Sequence, residues 1–457
     1  MEISPKKSIA ILGAGITGLT AAHRLAVQGH KVRVFEQSGR TGGAIGTEQC
    51  EGWLIERGPN SLLEGDPALA SLIRELGLAN ERISANPSAK KRFIVRAGRA
   101  QAVPLSPPAL LSTKLFSFGA KLRLFREIFT RRRERTTDVS LAEFVRSHFG
   151  QEFVDYALNP FVSGVYAGDP AKLSTRHTFP VLWQLEQTHG SILRGQMQKA
   201  RARKARGEPA PGIISFRRGL QTLPDTLAAR LPAGSLSLNA RVERLVPQAR
   251  WRVLWHDGSA THTEEFDTVL SALPASGLAA LRVGPTDDRP LAGLERIEHP
   301  PVTSLFLGYR REQITHPLDG FGVLVPACEQ RSVLGILFSS TLFAGRAPDG
   351  HVALTVMVGG TRQPDLAKLP PAALLEHIQP DLAALLGVNG RPAFLRHTFW
   401  PRAIPQYNLG YAQNLEAMAA CERTYPGLLI GGQARDGIAV PACIAAGEKL
   451  AARATVA

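Results

Sequence analysis

Cysteine is scarce in this chain of 457 residues: there are four, Cys50, Cys328, Cys421 and Cys443, and they lie far apart. Their spacing gives neither a metal-binding set nor a disulfide framework, and suits a reducing compartment. No apolar run approaches the ~20 residues needed to cross a bilayer. The stretch from Met1 to Lys7 is short and polar and leads into a strand, so no cleaved signal is expected. The twelve histidines show no ligand spacing, and His177, His189 and His316 read as surface or structural residues. No Ser–His–Asp set, metal cluster, obvious general base or internal repeat stands out. Hydrolytic-triad and metal chemistry therefore have no carrier in the sequence.

What is present is an ordinary globular composition, 44% hydrophobic and 20% charged, with enough chain for two or three domains. The net charge of +15 is local. Lys90 to Arg135 holds 13 basic and 2 acidic residues, net +11, and Arg194 to Arg218 holds 8 and 1, net +7. Such patches meet anionic surfaces, nucleic acids or anionic small molecules, or are merely solvated. No recognition motif accompanies the charge, which argues against nucleic acid. In the first patch, Leu111, Leu115, Phe118, Leu122, Phe125 and Phe129 recur every three or four residues, with Lys114, Lys121, Arg123 and Arg126 off the stripe and "TRRRER" following. A helix over Leu110–Phe129 is predicted. Its stripe either faces a core or lies on an anionic membrane surface.

The chain opens β-turn-α-β: "SIAILG", "GAGITG", "LTAAHRLAVQGH", "KVRVFE". A helical, basic middle follows, then mainly strands, then a Gly-rich return, "GLLIGGQARDGIAVPACIAAGEKLAA". This order predicts interleaved domains, with the nucleotide domain assembled from distant segments. Pro-rich spots at "PLSPPA" and "EPAPG" read as links. Gly13, Gly15 and Gly18 follow a strand and open a helix. Gly13 permits the tight turn, Gly15 lets a pyrophosphate approach the backbone, and Gly18 allows close helix–strand packing. Glu36 ends the second strand, where a carboxylate accepts both ribose hydroxyls. No arginine stands beside it to receive a 2′-phosphate. Arg40 with Gly42 and Gly43 then fits the flavoprotein pattern, with Arg40 facing phosphate and the glycines passing close to an extended FAD.

With these motifs in place, the sequence resembles the amine-oxidase-like FAD superfamily and, within it, the protoporphyrinogen oxidases. "GAGITGLTAAHRL", "GRTGGAIGT" and "ERGPNSLLEG" match its first flavin-binding part. "KRFIVRAGRAQAVP", "NPFVSGVYAGDPAKLS", "GFGVLVP", "LGILFSS", "MVGGTRQPDL" and "WPRAIPQYNLGY" follow in the family order. Monoamine oxidases and carotene desaturases share the first and last motifs but not the middle set.

The resemblance implies an α/β fold: a Rossmann-like FAD-binding domain (1–85, 211–285, 396–457) interleaved with a mixed-sheet substrate domain (86–105, 286–395) and a helical, membrane-facing region (106–210). It implies FAD contacts at Gly13, Ala14, Gly15, Ile16, Thr17, Gly18, Glu36, Arg40, Gly42, Gly43 and Ala44, and at Gly58, Pro59, Asn60 and Ser61. Val242 joins them through its backbone on the adenine side, and Gly437, Ile438, Ala439 and Val440 lie beneath the flavin. Within "GGQARDG" the chain departs from its relatives at Gln433, Arg435 and Asp436. Asp436 is either functional or a turn residue.

The implied activity is oxidation of protoporphyrinogen IX to protoporphyrin IX in haem biosynthesis. It proceeds by three two-electron hydride transfers to flavin N5, with oxygen as acceptor giving hydrogen peroxide. No catalytic side chain is expected, because the cofactor carries the chemistry. Arg92 is expected on a propionate, Gly164 against the pyrrole nitrogens or as a helix-breaking turn, and Leu324, Leu337 and Met357 as ring-clasping walls. Met357 stands where many relatives have an aromatic, so it packs without ring stacking. The alternatives are coproporphyrinogen III as substrate, an amine or carotenoid oxidoreductase, and a non-catalytic flavoprotein scaffold. The expected location is cytoplasmic, peripheral on the membrane face, beside neighbouring haem-pathway enzymes, with a homodimer left open.

Overall fold

The apolar run Ser8–Leu12 is the central strand of a five-stranded parallel sheet. Strand order across that sheet is Leu236–Ser237, Lys31–Phe35, Ser8–Leu12, Thr268–Ser271, Leu428–Ile430. Parallel strands covered on both faces lose their alternation, and Ile9, Ala10, Ile11 and Leu12 are all fully buried. The computed structural model describes residues 6–132, 135–207, 210–284, 286 and 288–456. Met1 to Pro5, Arg133 and Glu134 of "TRRRER", and Glu208 and Pro209 of "EPAPG" lie outside the described residues.

The helix Ile16–Val27 packs under this sheet at very short range: a Cβ placed on Gly18 would stand 2.0 Å from the Gly13 carbonyl oxygen. The last helix, Val440–Val456, crosses the first with similar closeness, since a Cβ on Gly447 would stand 2.5 Å from the Thr17 carbonyl oxygen. Glycine at these crossings lets backbone approach backbone, and so returns the C-terminus to the first βα turn.

A four-stranded sheet (Thr261–Phe266, Trp251–His256, Arg241–Val246, Arg282–Val283) flanks the nucleotide domain. A seven-stranded sheet forms the second body, in the order Phe394–Trp400, Val302–Arg310, His351–Gly359, Val333–Leu337, Gly320–Leu324, Lys91–Arg96, Arg99–Ala102. One face buries Leu305, Leu307, Val323, Ile336, Leu354, Val356 and Val358 against Leu374, Ile378 and Leu382 of the helix Pro371–Leu386. The strand Phe394–Trp400 belongs wholly to this sheet, so the boundary expected between 395 and 396 falls inside a strand.

A helical lobe runs from Phe118–Glu127 through Leu141–Phe149, Pro180–His189 and Ile192–Ala205. The single helix predicted over Leu110–Phe129 is corrected here. It is two helices, Pro107–Ser112 and Phe118–Glu127, each capped by a serine, Ser106 and Ser117. Ser117 Oγ accepts from Ala120 N–H and donates to Glu152, which fixes the break. The stripe splits with it. Leu115 is fully buried, whereas Leu111, Phe118, Leu122, Phe125 and Phe129 are exposed, Phe118 and Phe129 to 82% and 80%. The core-facing reading of the stripe therefore holds only for Leu115. Among the described residues no helix is long and apolar enough to cross a membrane.

Candidate active site

The carboxyl ends of Ser8–Leu12, Lys31–Phe35 and Thr268–Ser271 open on a cleft of about 740 Å³, where the strand order turns to either side of the first strand. Gly15 caps the helix Ile16–Val27 without a side-chain hydrogen bond, so the first-turn N–H groups have no side-chain acceptor there. A Cβ added to Gly15 meets no atom within 4 Å, because that face opens on the cleft. The second glycine loop lies directly on the first: Gly42 N–H donates to Ala14 O at 2.9 Å, and Gly15 and Gly42 form a parallel bridge. Gly42 has φ +98°, and a Cβ there would stand 2.8 Å from the Ile45 carbonyl oxygen, so no other residue fits this turn.

Glu36 is buried at the second strand's end. Its Oε2 accepts from Ala14 N–H at 2.8 Å, and its Oε1 accepts from Ser38 N–H at 2.9 Å and Ser38 Oγ at 2.8 Å. Each carboxylate oxygen has further acceptor capacity, so the group is held in place and still lines the cleft. Arg40 is placed differently from the expectation of a phosphate-facing cation. Its Nη1 donates to the Thr41 and Ile45 carbonyls at 3.0 and 2.7 Å, and its Nη2 to Gly43 O at 2.5 Å. Arg40 lines the cleft but clasps its own loop, and burial, then Arg57, draw its pKa down.

The other expected positions divide. Ile16, Thr17, Ala44, Pro59, Val242, Ile438 and Val440 line the cleft together with Gly13 and Gly43. Gly18 lies behind it, against the Gly13 carbonyl, and Ala14 offers it main-chain groups that Glu36 and Gly42 already use. Gly58 supports the wall, since a Cβ there would stand 2.0 Å from Ala44 O, and Asn60 Nδ2 turns back to Gly58 O at 3.1 Å. Gly437 accepts from the Cys443 thiol at 3.4 Å; burial pushes that thiol up to about 11. Ala439 lies between the lining residues Ile438 and Val440, and Ser61 stands two positions beyond Pro59. In the "GGQARDG" turn, Asp436 Oδ2 accepts from Gly432 N–H at 2.8 Å, the turn role weighed above. Arg435 pairs with Glu422 at 2.8 Å, and Gln433 lines the cleft while its carbonyl accepts from Tyr407.

Sequence reasoning missed Trp400, Arg402, Ala403 and His299, which also line the cleft. They arrive together at one end of two neighbouring strands of the seven-stranded sheet, where Val302 pairs with Trp400, far in sequence from the glycine motifs. "WPRAIP" carried the one signal that pointed to any of them.

The second half of the site is a sheet face. Ile94, Leu324, Gly335, Met357, Ser304 and Thr398 stand in one row across six strands. Side chains two apart on a strand share a face, which puts Arg92, Leu324, Leu337 and Met357 on the same side. Leu324, Leu337 and Met357 are half-buried there, and Arg92 is exposed over the Phe321 ring at 5.6 Å, with no ion pair among the described residues. Gly164 sits within the helix Asn159–Tyr166, which overturns its reading as a helix-breaking turn. A Cβ there would stand 2.5 Å from Leu324 Cδ2, so glycine brings this helix onto the wall. Met357 and Ala403 pack on one small cluster, Ala167, Val302 and Leu334, which joins this wall to the cleft.

The donor set fits an FAD: a bare helix N-terminus, two glycine loops without side chains to obstruct a pyrophosphate, and a fixed carboxylate for a ribose. Among the described residues no group of His, Cys, Asp and Glu could hold a metal ion.

Comparison with known proteins agrees with this geometry. The family model described as flavin containing amine oxidoreductase matches residues 16–455. Protoporphyrinogen oxidase 2, chloroplastic/mitochondrial, of Arabidopsis thaliana is 34% identical, over 99% of this chain and 94% of its own length. Coproporphyrinogen III oxidase of Bacillus subtilis is 27% identical, over 97% of each chain. A crystal structure from Exiguobacterium sp. 255-15 has the same fold, with a TM-score of 0.82 at 24% identity over 99% of each chain.

Proposed function

Since this chain belongs to the flavin-containing amine oxidoreductase family, we propose that it oxidises protoporphyrinogen IX to protoporphyrin IX in haem biosynthesis. FAD is its cofactor. The observation that carries the substrate is the sheet face: a broad apolar wall of Leu324, Leu337 and Met357, with the cation Arg92, without an ion pair among the described residues, on the same side and the cofactor cleft adjoining it. A flat, apolar tetrapyrrole with propionate arms needs this combination.

When bound, FAD supplies a two-electron acceptor at its N5, with oxygen as the final acceptor giving hydrogen peroxide. The chain's own part is placement. The N-terminus of Ile16–Val27, Gly15 and the Gly42–Gly43 loop would hold the pyrophosphate, Glu36 would accept from the ribose hydroxyls, and Ile438 and Val440 would lie against the flavin. Arg92 anchors a propionate bidentately, and the apolar wall excludes water from the macrocycle.

Anaerobic mixing of the oxidised holoenzyme with protoporphyrinogen IX and, separately, coproporphyrinogen III tests this. Bleaching of the flavin band, faster with protoporphyrinogen, supports the assignment. A faster reaction with coproporphyrinogen transfers it to the activity for which the Bacillus subtilis relative is named. No bleaching with either overturns the porphyrinogen reading.

The exposed stripe supports a peripheral site on an anionic, cytoplasmic membrane face. Phe118, Leu122, Phe125 and Phe129 stand clear of the core, with Arg123 and Arg126 exposed among them. Co-sedimentation with anionic liposomes that fades at high salt supports it; failure to bind at low salt removes it.

A further inference from the structure

His299 belongs to no motif, yet it lines the cofactor cleft beside Trp400, Arg402 and Ala403. Its Nδ1 lies 2.8 Å from the Ile297 carbonyl oxygen. A carbonyl can only accept, so Nδ1 carries the hydrogen, and the neutral ring keeps its lone pair on Nε2. Nε2 has no hydrogen-bond partner among the described residues, and it is not among the sealed, unpartnered nitrogens of the structure. Burial holds the ring's pKa below the ordinary histidine range; the Ile297 carbonyl opposes this, and the Arg402 guanidinium adds to it. Arg402 is the charged side chain that faces the ring, and it has no ion pair among the described residues. The imidazole is thus fixed in orientation and tautomer, uncharged, and open on one nitrogen.

Besides the acceptors Glu36 and Glu243, the cleft presents donors: the helix N-terminus and the arginines Arg241 and Arg402. These suit the phosphates. FAD also carries hydroxyl and N–H donors, and they need acceptors. We propose that His299 is a cofactor-binding residue that works as a neutral imidazole, with Nε2 accepting a hydrogen bond from a hydroxyl or N–H donor of bound FAD. The inference rests on FAD occupying this cleft. It makes cofactor retention pH-dependent through one side chain. Once protonated, His299 loses its acceptor and becomes a cation facing Arg402.

FAD release from the holoenzyme, followed by the rise in free flavin fluorescence between pH 7.5 and 5, tests this. In the unmodified protein release should rise roughly five-fold as the pH falls, the worth of one neutral hydrogen bond. His299→Gln keeps an acceptor that does not titrate, and should flatten the profile across this pH range whatever it does to the absolute rate of release. Arg402→Gln removes the facing charge and should move the midpoint to higher pH, whatever it does to overall affinity. A wild-type profile in His299→Gln, or an unmoved midpoint in Arg402→Gln, overturns the proposal. Neither substitution empties the protein interior, so both report even where His299→Leu fails to fold. A Glu36→Ala protein that retains FAD as tightly as the unmodified one would instead remove FAD from the cleft, and so tells the two failures apart.

Discussion

In the nucleotide domain the cleft is shaped by main-chain groups: Ala14 N–H on Glu36, Gly42 N–H on Ala14 O, and three loop carbonyls on Arg40. The helical lobe is centred instead on ionisable side chains. His148 is nearly sealed from water, with Nδ1 3.0 Å from Glu127 and Nε2 3.0 Å from Glu186. Glu127 also accepts from Ser191 Oγ at 2.8 Å and from Ile192 and Leu193 N–H at 2.7 and 3.2 Å, and so caps the helix Ile192–Ala205. Arg135 Nε reaches both oxygens of Glu186 at 2.9 and 2.8 Å. Two carboxylates, an arginine and an imidazolium sum to zero, so the cluster is neutral only when His148 is protonated. One region is held by geometry that only particular backbones allow, the other by charge balance. The first should fail on added volume, the second on a lost or added proton.

The largest effect should come from Gly18→Val. The new side chain must displace the Gly13 carbonyl, which costs about 3 kcal/mol or more; the thermal midpoint should fall by roughly 5–10 °C, with FAD lost. A stable, yellow Gly18→Val protein would refute the close crossing. His148→Leu should cost about 3 kcal/mol by leaving two buried carboxylates with Arg135 alone. Its signature is regional: limited proteolysis should cut within the helical lobe while the flavin spectrum is kept. Cleavage spread over the whole chain would erase the contrast between the regions.

Glu36→Ala should weaken FAD binding by roughly 10- to 100-fold, because Ala14 and Ser38 lose their acceptor along with the ribose; equilibrium dialysis of the apoprotein measures this. Arg92→Ala acts at the boundary between the regions. KM for the porphyrinogen should rise about ten-fold, one bidentate contact, with FAD binding unchanged. An unmoved KM takes Arg92 off the substrate.

The smallest effect is with pH. Burial opposes the charged ring, but the hydrogen bonds His148 donates to Glu127 and Glu186 outweigh it and hold the His148 pKa above its ordinary value. A raised folded-state pKa stabilises fully below the unfolded value of 6.5 and the gain is lost as pH climbs through the higher folded value. The lobe should therefore become more protease-sensitive from neutral to alkaline pH, and His148→Leu should abolish that dependence. His299, shifted downward, acts in the opposite direction.

The cofactor site was legible where its chemistry is local. Gly13, Gly15, Gly18, Glu36 and the Arg40–Gly43 turn lie within 31 consecutive residues, 13 to 43, and each answers a constraint from within that stretch. The strands Val302–Arg310 and His351–Gly359 were likewise readable, because an apolar run buried on at least one face is a short-range pattern. The exposed stripe was not. Its 3.6-residue period is the same whether the far side meets a core or solvent, and only the break at Ser117 separates Leu115 from Phe118. The Glu127–His148–Glu186–Arg135 cluster was also hidden, since its members come from separate stretches of the chain and each alone reads as a surface charge.

Sequence alone, then, determined the cofactor and the first βα turn, because hydrogen bonding and steric exclusion there act within one βαβ stretch, 13 to 43. Tertiary structure decided which residues share the cleft and the wall. Arg92, Gly164, Leu324, Leu337 and Met357 meet only because a seven-stranded register and one helix crossing bring them together. His299 and Arg402 reach the cofactor cleft together only because the antiparallel register sets Val302 opposite Trp400 at one end of that same sheet. Such contacts are set by strand register and packing of the whole core, which no local pattern encodes.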